Sequence, residues 1–264
     1  MSAQKNSEKR VLEDRPMTAQ EEAWDLAKTV FWAVAIALVL RVIIFQPFNI
    51  PSGSMKPNLL VGDFLFVSKP AYGYSRASLI YPLTRLEVDG RFMGRLPEQG
   101  DVIVFKNRKD NNKDYIKRLV GMPGDKITMI DGHLHINDAP VPKELVGTNR
   151  RECGGLGIVD VPQYQETLPN GVTYVVEECA GTRGSLDNVG PYFVPADHYF
   201  FMGDNRDESQ DSRAVSQVGY VHYDDIVGRA ERLFFSVDGS KARVWEIWKW
   251  PFVIRYGRVL DPVE

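Results

Sequence analysis

Apolar positions along this chain follow two different patterns. From Thr29 to Phe45 the sequence TVFWAVAIALVLRVIIF is apolar on every face apart from Thr29 and Arg41, whereas beyond residue 47 apolar and polar positions mostly alternate. A helix apolar all round does not pack on a core by one stripe. Its seventeen residues would rise roughly 26 Å, and starting the helix at Leu26, with Lys28 reaching to the interface, brings it to the roughly 30 Å of a hydrocarbon core. The run ends in RVIIFQPF with no small-residue cleavage point, so it predicts a retained membrane anchor over 29–46 and not a removed leader. Residues 1–28 carry both charge signs and read as a solvated tail with a short helix near its end. Five basic residues precede the span and only scattered ones follow, which places the tail in the cytoplasm and 47–264 on the far side.

Beyond the span, period two dominates and predicts strands. GDVIVFKN (100–107) sets Val102 and Val104 on one face and Ile103 and Phe105 on the other, as in a strand covered on both sides. DKITMIDGHLHIN (125–137) predicts a hairpin turning at Asp131-Gly132, with His133 and His135 on its polar face and no third ligand nearby to make them a metal site. Segment 71–97, rich in aromatics, Arg and turn residues, reads as an extended ribbon or loop. Segment 138–195 alternates more weakly and reads as a smaller inserted β lobe. The expected organisation is a mostly β, antiparallel catalytic region with its core at about 47–70, 98–137 and 196–236, followed by an aromatic segment, 237–264. There VWEIWKWPFVIRYGRV suits either a membrane interface or a packed edge.

Composition narrows this picture at two points. A net charge of −3, from 32 basic and 35 acidic residues, supplies no field for nucleic acid. The two cysteines, Cys153 and Cys179, both lie beyond the span, where they can pair as a disulfide or stay two buried thiols. No Gly-rich phosphate loop or metal-ligand cluster is visible, and no cofactor is expected.

Three stretches carry candidate chemistry. In FNIPSGSMKPNLLVGD (48–63), Ser52 and Ser54 flank Gly53 between Pro51 and Pro57. A nucleophilic serine needs a base, yet no histidine stands in an elbow context and no G-x-S-x-G occurs, so the base would be a lysine. A solvated lysine is neutral only about once in 2,500 molecules at pH 7, a handicap of about 4.6 kcal/mol that burial can reduce. Lys117 in NKDYIKRLVGMPGD is the candidate. It shares a strand face with Tyr115 and Leu119, against Ile116, Arg118 and Val120 opposite; with one charge on each face, the alternation does not say which is buried. The third stretch, FFMGDNRDESQDSR (200–213), interleaves Arg and Asp and suits a rigid loop of ion pairs and side-chain caps.

FQPFNIPSGSMKPNLLVGDFLFV, GDVIVF, DYIKRLVGMPGD and MGDNRDESQDSR, in this order after an N-terminal span, resemble the sequence boxes of the type I signal peptidases, the bacterial leader peptidases, with YGYSR and DIVGRA extending the match. The resemblance implies a serine endopeptidase of the inner membrane, with its catalytic region on the periplasmic side, that cuts exported preproteins after small-x-small motifs such as Ala-x-Ala. By residue it implies Ser54 as nucleophile and Lys117 as general base. Ser52, with the Ser54 N–H, would form the oxyanion hole, and Ser209 would orient the lysine. Asp204, Arg206, Asp211, Arg213 and Arg118 would brace the site, and Phe48, Ile50, Met55, Leu59, Val104, Tyr115 and Ile116 would line shallow substrate pockets. Gly53 would let the turn bring a carbonyl close to Ser54 Oγ. Glu208 stands where the family commonly has Asn, and His222 where a Pro often precedes the acidic pair. A Ser/Lys self-cleaving repressor would need a helix-turn-helix in place of the span, and a catalytically dead tethered binding protein would have lost the dyad.

Overall fold

The computed structural model describes residues 18–79, 90–179, 184–238 and 247–263, and the side chains of Leu40, Val42, Ile43, Ile247 and Trp250 lie outside that description. The chain divides into two units, 1–42 and 43–264.

The first unit is the helix α1, Ala19–Ile43. It starts ten residues before the expected span because TAQE forms a capping box: the Glu21 N–H donates to Thr18 Oγ1 (3.3 Å) and the Thr18 N–H donates to the Glu21 carboxylate (2.9 Å). Val30, Phe31, Trp32, Val34, Ile36, Leu38 and Val39 are all exposed along it. Among the described residues no helix is long and apolar enough to cross a membrane. The helix also stops earlier than expected, since Pro47 biases the residue before it toward extended backbone. Phe45–Asn49 is accordingly strand β1.

The second unit is built on a seven-stranded antiparallel sheet of order β1-β2-β14-β3-β4-β12-β13. Its further members are β2 (Asp63–Ser68), β3 (Val102–Asn107), β4 (Lys113–Gly121), β12 (His198–Met202), β13 (Val221–His222) and β14 (Ile226–Ser236). Pro47 is tolerated because β1 is an edge strand. The alternation in 100–107 sorts as predicted. Val102 and Val104 join a cluster with Ile50, Met55, Leu59, Leu65 and Val67, while Ile103 and Phe105 join another with Tyr72, Leu119, Tyr199 and Phe201.

The hairpin forms between β5 (Lys126–Ile130) and β6 (His133–Ile136), with Asp131 and Gly132 both at positive φ (48° and 73°) as its turn requires. Leu134 and Ile136 are buried and His133 is exposed. This hairpin does not pair with the main sheet: it joins β7 (Ala139–Pro140) and β11 (Val189–Phe193) in a four-stranded sheet that straddles the expected lobe boundary at 138. The strands β8 (Lys143–Glu152), β9 (Ile158–Thr167) and β10 (Thr173–Glu177) form a third sheet. Leu168, Tyr174 and Val176 share a core with Val120, Phe200 and Met202, so the inserted strands pack directly on β4 and β12. Cys153 and Cys179 are joined, their Cα atoms 5.9 Å apart, which settles the choice left open above in favour of the disulfide.

Part of the expected ribbon, 80–89, lies outside the described residues. Its flanks are tied down: Tyr74 bridges Phe92, and the Arg91 guanidinium donates to the carbonyls of Gly73, Tyr223 and Ile226 at 3.0, 2.7 and 2.7 Å. The C-terminal segment folds back as a packed edge. Val237 bridges Ile254, and Arg258 donates to Asp63 Oδ2 (2.7 Å) and the Asn58 carbonyl (2.8 Å). Trp248, Phe252 and Tyr256 point outward from it.

The disulfide closes a loop with a sequence separation of 26. By chain entropy the Cys153→Ser/Cys179→Ser variant is expected to lose about 3 kcal/mol in urea unfolding, and an unchanged midpoint would contradict this.

Candidate active site

Between β1 and β2 the chain leaves the sheet as a turn whose ends are closed by Ile50 N–H to the Asp63 carbonyl (2.8 Å) and Gly62 N–H to the Ile50 carbonyl (3.0 Å). Ile50, Met55 and Leu59 sink into the core and hold this turn against the sheet. Ser54 is thereby held at a buried position beside β4. The glycine expected to matter, Gly53, has an ordinary φ, and an added Cβ would meet only the flexible Lys56 side chain, at 3.0 Å. Gly203 is the constrained one: a Cβ there would lie 2.1 Å from Ser209 Oγ and 2.5 Å from the Ser54 carbonyl oxygen.

Both faces of β4 are buried, so the question that alternation left open has a double answer: Lys117 is 4% exposed and Arg118 0%. Lys117 Nζ lies 2.6 Å from Ser54 Oγ and donates to the Ile116 carbonyl at 2.8 Å. Burial pushes the Lys117 ammonium down to about 8, against the opposing pull of Asp211 and Asp204. At that value about one molecule in ten carries a neutral lysine at pH 7, a gain of more than two orders of magnitude over a solvated one. Ser52 Oγ stands 3.4 Å from Ser54 Oγ. Ser209 is buried, and its hydroxyl interacts with the Asp211 carboxylate.

The 203–213 loop encloses this pair with matched charges. Arg118 grips Asp204 through both carboxylate oxygens, each at 2.8 Å, and lies 4.2 Å over the Tyr174 ring. Arg213 grips Asp211 in the same bidentate way, at 2.9 Å for each bond. The Asp211 carboxylate, which also accepts from the Gly203 N–H, falls below its ordinary range because Arg213 and these donors outweigh burial. Arg206 pairs outside the loop, with Glu166 of β9. That partner, forty positions away in the sequence, could not be inferred from the loop.

The expected pocket residues divide. Phe48, Ile50, Met55, Leu59, Val104 and Ile116 belong to one cluster, and Tyr115 packs with the other. Within the first cluster Met55, Leu59 and Val104 are 1% exposed or less, while Phe48 and Ile116 remain partly open.

Two site residues have no individual role assigned from the sequence. Asn205 donates from Nδ2 to the Gly53 carbonyl (3.0 Å) and from its N–H to the Ser54 carbonyl (3.1 Å). Asn58 donates to Asp204 Oδ2 at 2.7 Å. Both belong to the turn and loop already singled out, but nothing in their spacing marks them. Among the described residues one grouping of possible metal ligands occurs, Cys153, Cys179 and Glu208, and its sulfurs are joined to each other and offer no thiolate.

Residues 23–235 match the family described as signal peptidase, peptidase S26. The chain is 39% identical to the signal peptidase I of Rickettsia akari over 87% of its own length and 83% of the relative's. It is 41% identical to that of Rickettsia typhi, covering 81% and 80%. Among solved structures it is similar to a signal peptidase I from Enterococcus faecalis, at 23% identity and a TM-score of 0.30, over 51% of this chain and 97% of that one.

Burial that lowers the Lys117 pKa also lowers stability wherever the folded protein must hold the charged form. With the folded value near 8 and the unfolded one near 10.5, the penalty is complete below about pH 8 and disappears as pH rises toward 10.5. Lys117→Met is therefore expected to unfold at higher urea than the parent at pH 7, by up to about 3 kcal/mol, with the gap closing by pH 10.5. Equal stability of the two proteins at pH 7 would count against a strained buried amine.

Proposed function

The chain belongs to the signal peptidase family, peptidase S26, and is a serine endopeptidase; on that premise we propose that it removes signal peptides with Ser54 as nucleophile and neutral Lys117 as general base. The observation that carries this reading is the 2.6 Å approach of a buried, pKa-lowered amine to a buried serine hydroxyl.

The chemistry follows from that contact. Neutral Lys117 takes the hydroxyl proton while Ser54 Oγ forms a bond to the scissile carbonyl carbon, whose π electrons move onto oxygen. The resulting oxyanion is held by the Ser54 N–H and the Ser52 hydroxyl. The carbonyl re-forms, the C–N bond breaks, and the Lys117 ammonium gives its proton to the departing amine. Lys117, neutral again, takes a proton from water as the water oxygen attacks the acyl-enzyme; on collapse the Lys117 ammonium returns that proton to the departing Ser54 Oγ, and the signal peptide leaves as its carboxylic acid, which ionises to the solvent. Ser209, buried beside the Asp211 carboxylate, orients the amine during these transfers. Arg118, Asp204, Arg206, Asp211 and Arg213 brace the loop.

Met55, Leu59 and Val104 would floor shallow pockets with Phe48, Ile50 and Ile116 as walls, while Tyr115 packs with the other cluster. Such pockets accept the methyl group of alanine and clash with larger side chains, which suits an Ala-x-Ala motif. The exposed apolar side chains along α1, continued in sequence by Ile44 and Phe45, support an inner-membrane anchor with residues 1–28 in the cytoplasm and the catalytic region on the periplasmic side. Only eleven positions separate Ile43 from Ser54, so the nucleophile stays near the bilayer surface at which a preprotein's signal helix would end.

In detergent micelles the intact protein is expected to cut a purified preprotein directly after its Ala-x-Ala motif, with Ser54→Ala and Lys117→Ala each losing at least about 1,000-fold. Mass spectrometry of the new N-terminus reads the position, and normal cleavage by either variant would sink the dyad. Since the base must be neutral, kcat/KM should climb tenfold per pH unit through the acid range and level off near pH 8. A plateau already reached at pH 6 would point to another base.

A further inference from the structure

We propose that Glu208 is a positioning residue which, acting through Asn205, fixes the direction of the Ser54 N–H. This rests on the reading above, in which that N–H is an oxyanion donor.

The Ser54 N–H belongs to the peptide unit between Gly53 and Ser54. Such a unit is planar and trans, so its C=O and N–H point in opposite directions within one plane. A group that holds the Gly53 carbonyl therefore sets where the Ser54 N–H points. Asn205 is the side chain that does so: its Nδ2 donates to the Gly53 carbonyl at 3.0 Å, beside the Lys56 N–H at 3.2 Å, while its backbone N–H holds the next carbonyl, that of Ser54, at 3.1 Å. Asn205 is fully buried, and the Gly53–Ser54 plane is clamped from one side.

An amide terminus turns readily about its last torsion, and Glu208 opposes that turn. Glu208 Oε2 accepts the other Nδ2 hydrogen of Asn205 at 2.8 Å. The same carboxylate is tied to the tip of the β8–β9 hairpin, accepting from Arg151 Nη1 at 2.9 Å and from the Gly154 N–H at 2.8 Å. Arg151 is itself paired with Glu177 of β10 at 2.7 Å, and Gly154 follows the disulfide-bonded Cys153. The inserted strands thus reach the oxyanion donor through three side chains: Arg151, Glu208 and Asn205. Asn205, Arg151 and the Gly154 N–H outweigh burial and hold the Glu208 carboxyl below its ordinary range, so it remains an acceptor at neutral pH.

An oxyanion exists in the transition state and not in the bound substrate, so a misdirected donor lowers kcat and leaves KM alone. Neither Glu208 nor Asn205 hydrogen-bonds Lys117, so the acid limb of the pH profile should stay in place. The test compares the full-length protein with Asn205→Ala, Glu208→Ala, Glu208→Gln and Ser54→Ala in micelles, on one preprotein, measuring kcat, KM and the pH profile.

Asn205→Ala is expected to lower kcat by about 10- to 100-fold and Glu208→Ala by about 3- to 10-fold, each with KM within about twofold of the parent. Glu208→Gln, whose amide oxygen can still accept from Asn205, should recover most of the loss. The proposal is overturned by a rise in KM with kcat intact, by a displaced acid limb, or by Glu208→Gln failing as badly as Glu208→Ala. Glu208 is partly exposed, so its two variants decide the matter if Asn205→Ala does not fold. The two readings fail separately: an inert Ser54→Ala beside fully active Glu208 variants removes only this inference, whereas an active Ser54→Ala removes the nucleophile itself.

Discussion

A lysine amine buried against a serine hydroxyl is the constraint around which this protein is arranged. Taking an ammonium out of water is costly unless a carboxylate meets it. The hydrogen bonds of Lys117 go instead to two neutral oxygens, Ser54 Oγ and the Ile116 carbonyl. The charges around it are matched elsewhere: Arg118 with Asp204, Arg213 with Asp211, and Arg206 with Glu166. The two carboxylates that pull on the lysine cation, Asp204 and Asp211, are each already bound to an arginine. The lysine is left as the group whose pKa burial lowers, to about 8.

The same constraint gives the inserted strands a part in the site. Glu166, Tyr174 and Glu177 come from β9 and β10, and they pair with or pack on Arg206, Arg118 and Arg151. Buried ion pairs contribute little net stability once desolvation is counted, but removing one partner leaves a buried charge unmet. They therefore act less as glue than as a fixed geometry: the 203–213 loop can adopt few arrangements that satisfy all three arginines. That rigidity is passed to Ser54 through Asn205 and the close packing at Gly203. The opposite end of the turn is fixed from the C-terminal segment, where Arg258 holds Asp63 and the Asn58 carbonyl.

Much of this was legible from residue order because local patterns report local environments. Alternation in 100–107 assigned Val102 and Val104 to one face and Ile103 and Phe105 to the other, and Asp131-Gly132 marked a turn that needs positive φ. The apolar run at 29–45 foretold a helix, although its start was hidden in the polar TAQE capping box and its end was set by Pro47. Gly53 misled, because a glycine next to a nucleophile suggests a backbone need that its ordinary φ does not have. Gly203, the glycine that does face a close approach, sits in an unremarkable M-G-D.

By itself, the sequence determined the types of chemistry at hand: a serine in a proline-bounded turn, a lysine on an apolar strand, a loop of alternating charges, and two cysteines free to pair. Only the tertiary structure decided which of these meet. Lys117 and Arg118 are indistinguishable by strand period, since a central strand between β3 and β12 buries both its faces; their fates differ because Ser54 lies beside one and Asp204 beside the other. Arg206 finds Glu166 for a similar reason, its partner being supplied by a strand inserted elsewhere in the chain. Pairings between distant residues depend on sheet order and register, which a one-dimensional pattern of polar and apolar positions does not encode.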